Sequence, residues 1–65
     1  MQLTSKEVMY LEDHIKMESL MSKYLGQCSA QCSDAELKKM CGDLSQLHHN
    51  NYMALSKHVQ SAAMH

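Results

Sequence analysis

The chain has 65 residues, with 6 basic against 7 acidic side chains and a formal net charge of −1 with histidine neutral. A chain this short holds one domain with a marginal core, which excludes a doubly wound α/β domain, a TIM barrel or a two-domain enzyme. A near-neutral charge with no basic stripe argues against nucleic acid or an anionic membrane as partner, and 45% hydrophobic residues are too many for a disordered tail.

Proline, tryptophan and phenylalanine are absent and only two glycines occur, so the composition favours helix almost throughout. Thr4 opens the first helix as an N-cap. Glu7 stands three residues later to complete a capping box, and Leu3 and Val8 occupy the positions of a hydrophobic staple. The first helix is expected over residues 5–30. Gly26 within it either costs about 1 kcal/mol relative to alanine or marks a kink or early fraying. Ser33 or Asp34 caps the second helix, expected over residues 34–62 with Gly42 inside it. The few residues between, around 31–33, force the helices to be antiparallel neighbours. The whole chain, 1–65, reads as one all-α helical hairpin, with His65 fraying at its end.

A 4-3 spacing picks out the inner faces. In the first helix it selects Leu11, His14, Glu18, Met21, Leu25, Cys28 and Cys32. In the second it selects Leu37, Cys41, Leu44, His48, Asn51, Leu55, His58 and Ala62. Val8, Ile15, Met40 and Leu47 widen these stripes. Two helices alone cannot enclose them, so the hairpin is expected to dimerise into a four-helix bundle.

Glu18 and His48 stand equally far in sequence from position 33, so the hairpin brings them to one level. Asn51 and His14 lie about one turn further out. Two readings stay open. Glu18 and His48 pair and set the register of the hairpin, or they hold a transition metal (iron, zinc or copper) together with Asn51 and His14. A second group, Cys28, Cys32 and Cys41, gathers near the turn. It reads either as small core residues or as thiolates for zinc or copper(I), with Met21 or Met40 as a soft neighbour. Three cysteines cannot complete an intrachain disulfide framework, which favours a reducing compartment. No segment approaches the roughly 18 consecutive apolar residues of a membrane span, and residues 1–7 lack a signal peptide's apolar stretch. Cytoplasmic synthesis and no membrane partner are therefore expected. Ser45 and His49 at i, i+4 make no catalytic arrangement by themselves, and no glycine-rich phosphate loop exists. No enzyme activity is expected.

Several stretches together carry a family resemblance. They are Leu3-Thr4-Ser5-Lys6-Glu7 with Tyr10-Leu11-Glu12-Asp13, then Met17-Glu18 followed by Lys23-Tyr24. In the second helix they are Asp34-Ala35-Glu36-Leu37-Lys38 and the segment from His48 to Tyr52 before Leu55. Over residues 3–60 the chain resembles the short spore coat F-type proteins of endospore-forming Firmicutes. The resemblance implies a ferritin-like half-bundle, other spore coat proteins as partners and a place in the spore coat, beside the homodimer expected from the stripe width. Many relatives carry Glu-x-x-His in the second helix. Glu18 matches the helix-one carboxylate, whereas His48 falls at the motif's Glu position and Asn51 at its His position. Di-iron oxidase activity is accordingly not part of what the resemblance implies. The expectation is a small structural and interaction protein, the alternative a metal-binding ferritin-like four-helix bundle.

Overall fold

Local hydrogen bonds start each helix where the residue types ask for it. In the computed structural model, which describes residues 3–63 and side chains as far as Ser61, the first helix α1 spans Ser5–Gln31 and the second, α2, spans Ala35–Ala63. The seam position Ala62 and the chain-end His65 lie outside the described side chains. At the start of α1 the Glu7 amide donates to Thr4 Oγ1 (3.1 Å) and the Thr4 amide donates to Glu7 Oε1 (2.9 Å), a complete capping box. Bonding from Thr4 holds the Glu7 carboxyl below its ordinary range, its backbone amide first and its hydroxyl second. For α2 the cap is Asp34: its Oδ2 accepts from the Leu37 amide at 2.8 Å and its carbonyl from the Lys38 amide at 2.9 Å. Ser33 is left as the middle of the connection.

α1 ends at Cys32, whose extended backbone turns the chain while its amide still donates to the Cys28 carbonyl at 2.9 Å. With so short a link the two helices run back along each other and pack as a hairpin. The result is a rod of 47 × 15 × 11 Å with a radius of gyration of 14.7 Å. A compact chain of this length would have about 11 Å. No helix among the described residues is long and apolar enough to cross a membrane.

The helices meet along Leu11, Ile15, Glu18, Ser22 and Leu25 of α1 and Cys41, Ser45, His48, Tyr52 and Leu55 of α2, all at least half-buried. This corrects the inner faces read from spacing. His14, Met21, Leu37, Leu44 and His58 are exposed, and the next residue along takes over at Ile15, Ser22, Ser45 and Val59. The reason is size. Ser45 donates to the Ser22 carbonyl and Ser29 to the Lys38 carbonyl, each at 2.8 Å. A Cβ on Gly26 would stand 3.4 Å from Ser45 Oγ, and one on Gly42 would stand 3.3 Å from Ser29 Oγ. Each glycine thus makes room for a serine of the other helix. Both keep ordinary helical backbone, since no residue described has positive φ.

Close approach through small residues leaves the bulky ones outside. Among the described residues Cys41 is the one buried hydrophobic side chain, 6% exposed. Tyr10, Met17, Met21 and Tyr24 share one flank of α1, and Leu37, Met40, Leu44 and Leu47 share one flank of α2. In an antiparallel pair the two flanks fall on the same side, so the hairpin has one broad apolar face. Its opposite side is mixed, with Lys16 and Lys23 around a shallow groove that Ile15, Leu20 and Tyr52 also line.

The glycine contacts can be tested by size. Gly26→Ala meets Ser45 at an ordinary contact distance and should raise stability by up to about 1 kcal/mol through helix propensity. Gly26→Leu should lower it by about 1–3 kcal/mol by forcing the helices apart. Urea unfolding midpoints measure both, and equal midpoints would show that the helices do not approach closely there.

Candidate functional site

Two polar groups interrupt the seam, one at its centre and one at its closed end. At the centre His48 Nδ1 donates to Glu18 Oε2 across the helices. The pair is mostly enclosed, with side chains 25% and 20% exposed respectively. The neighbouring small residues let the backbones come near enough for side chains of this length to meet. No buried side-chain nitrogen or oxygen among the described residues lacks a partner.

The other two residues expected at this layer stand apart from the pair. His14 is exposed on α1, and its Nδ1 bonds the Tyr10 carbonyl one turn back at 2.9 Å. Asn51 is half-buried on α2 one turn beyond His48. With His48 Nδ1 committed to Glu18, the ring's remaining ligand atom is Nε2. Among the described residues, the three thiols are the only group of three or more histidine, cysteine or carboxylate side chains gathered closely enough to share an ion.

That group sits where α1 ends and α2 begins. Cys28 and Cys32 lie one turn apart on α1, with Sγ atoms 3.5 Å apart. Cys41, on the second turn of α2, points back and donates its S–H to Cys28 Sγ at 3.0 Å. All three sulfurs lie within 4.8 Å of one another, with Cys41 buried and the others half-buried. The hydrogen bonds make the three thiols unequal. Cys28 is held below the ordinary thiol range because it accepts from Cys41 and then from Cys32. Cys32 is raised, chiefly by its bond to Cys28 and then by burial. Cys41 is pushed up to about 11, first by donating to Cys28, then by burial and then by repulsion from the Cys28 charge. Of the three sulfurs, Cys28 is thus the most readily ionised and Cys41 the least.

Spacing alone did not single out the serines that organise both groups. Ser29 bonds the Lys38 carbonyl in the turn that carries the thiols, and Ser45 bonds the Ser22 carbonyl next to the central pair. Each serine meets a glycine of the facing helix, but counting outwards from position 33 does not match these partners, so spacing carried no signal for them. Ser45, whose hydroxyl is committed to Ser22, makes no nucleophile for His49, which instead stacks on Tyr52 with ring centroids 6.2 Å apart.

Comparison with known proteins gives one relative to report. The uncharacterized protein YuzM of Bacillus subtilis (strain 168) is 29% identical to this chain over 58 residues, which cover 89% of this chain and 72% of YuzM. No family model matches the chain. No solved structure matches it.

Removing either member of the central pair should cost about 1–3 kcal/mol, because the other is left enclosed without its partner. Replacing both Glu18 and His48 by leucine should be much milder, giving a clear coupling energy in a double-mutant cycle. Additive single effects would mean that the residues do not meet. At the thiols, singly alkylated protein should carry its label mainly on Cys28 at pH 8, with Cys41 labelled last. Because the Cys41 pKa is raised, its labelling rate should keep climbing towards pH 11, whereas that of Cys28 levels off earlier. Peptide mapping by mass spectrometry reads the order, and label first on Cys41 would contradict it.

Proposed function

We propose that the chain is a small structural and interaction protein that works as a homodimer, two hairpins packed face to face into a ferritin-like four-helix bundle. Its proposed place is the spore coat, among the F-type proteins it resembles in sequence. The observation that carries the proposal is the apolar face, where Met17, Met21 and Tyr24 lie beside Met40, Leu44 and Leu47, all exposed. Soluble monomers rarely leave so large a contiguous patch open.

Surface area supports the same reading. The hairpin exposes 5188 Å², against about 4,200 Å² for an ordinary monomer of its mass, so the excess is about 1,000 Å². A stable interface removes about 800 Å² from each partner. A second copy is therefore an occupant of fitting size. With a net charge of −1 per chain, two copies meet with little repulsion. The proposal includes no reaction, since Glu18 and His48 are engaged with each other and the Ser45 hydroxyl is committed to the Ser22 carbonyl.

A metal-binding bundle is the second reading at the central layer, and one detail favours it. A carboxylate holding one imidazole nitrogen is the arrangement that orients the other nitrogen towards a metal. Two hairpins packed together would bring two such histidines to the bundle centre.

Light scattering and thermal melts across a hundredfold concentration range test the dimer. The expected result is a mass of two chains and a melting midpoint that rises with concentration. Leu47→Lys should shift the protein to a monomer with a lower midpoint. A monomeric mass with a concentration-independent midpoint would overturn the four-helix proposal.

A further inference from the structure

The closed end of the hairpin combines three features. Three sulfurs converge, no histidine or carboxylate joins them among the described residues, and the backbone that carries them is pinned on both sides. The pinning is specific. Asp34 caps α2 through the Leu37 amide, Ser29 bonds the Lys38 carbonyl across the turn, and the Cys32 amide closes α1 on the Cys28 carbonyl. The cysteines therefore do not have to be gathered by an ion, because the fold has already gathered them.

We propose that Cys28, Cys32 and Cys41 form a three-coordinate thiolate site for monovalent copper. Three sulfurs bound to one ion at about 2.3 Å stand about 3.8–4.0 Å from one another. The sulfurs here are separated by 3.0 Å, 3.5 Å and no more than 4.8 Å, so side-chain rotation of less than about 1 Å brings them to that geometry. Thiolates select soft ions, copper(I) and zinc first among them. Zinc in a structural site takes four protein ligands. Copper(I), with a filled d shell and no demand for a fourth ligand, is satisfied by three sulfurs. The buried Cys41 closes the site on its inner side and Cys28 and Cys32 leave it an entry path.

Uptake balances simply. Copper(I) displaces the protons that the three thiols still carry, those of Cys32 and Cys41 among them, forming three Cu–S bonds with no change of oxidation state. The two S–H bonds to Cys28 are exchanged for the shared ion. Because protons leave, affinity rises with pH over the range in which those two thiols remain protonated.

The test is anaerobic titration of the reduced full chain with copper(I) held by a chromophoric copper(I) chelator. The expected result is one copper per chain, sulfur-to-copper absorption in the ultraviolet and an X-ray absorption shell of three sulfurs. Cys28→Ser and Cys32→Ser should each weaken binding at least tenfold while circular dichroism keeps the helices. Cys41→Ser should do the same, and because it alters the buried position the first two variants carry the test if it unfolds. The site lies within one chain, so Leu47→Lys protein should bind the same single copper whatever becomes of the dimer. Copper shared between two chains, unchanged affinity in the serine variants, or preferential binding of zinc with a nitrogen or oxygen fourth ligand would each overturn the proposal.

Discussion

The close contact of the two helices through serine and glycine governs the rest of the molecule. Where Gly26 faces Ser45 and Gly42 faces Ser29, no bulky side chain separates the backbones. Packing in this stretch comes from backbone proximity and from two serine-to-carbonyl hydrogen bonds. That contact turns each helix so that its small-residue edge faces the other. Half of each apolar stripe is thereby carried to the outside, all on one side. The same turn places Glu18 opposite His48 and Cys41 over Cys28.

A seam of this kind stabilises by specificity more than by burial. Apolar area removed from water contributes roughly 25 cal/mol per Å², and with Cys41 the one fully enclosed hydrophobic residue among those described, the hairpin removes less of it than a compact domain does. Each cross-helix hydrogen bond contributes only about 1 kcal/mol net, yet each is satisfied in one register alone. The Ser22–Ser45, Ser29–Lys38 and Glu18–His48 contacts therefore choose the alignment, and apolar burial on the open face remains available to whatever packs there.

Much of this was legible in the residues. The Thr4–Glu7 capping box, the short connection and the common level of Glu18 and His48 follow from residue type and from counting outwards from the turn. Rotation of the helices about their own axes was less legible. A 4-3 pattern scored on apolar bulk finds the middle of the stripe, which holds His14, Met21, Leu37 and Leu44, whereas the contact uses its edge. Bulk is the wrong measure where two glycines let backbones touch. The choice of Asp34 over Ser33 as cap was open for a different reason. Both residue types can accept the orphan amides, and the exit angle of Cys32 decides which of them is in place.

The rod shape also governs how the molecule moves in solution. A body 47 Å long and 11 to 15 Å across drags more water than a sphere of equal mass. A single hairpin should therefore diffuse and elute like a heavier globular protein, and a column calibrated with globular standards would overstate its mass. A second hairpin laid alongside doubles the mass while leaving the length unchanged, so the axial ratio falls as the particle grows. The frictional ratio, obtained from sedimentation velocity together with an absolute mass, separates a slender single rod from a stouter paired one even where their elution volumes lie close together.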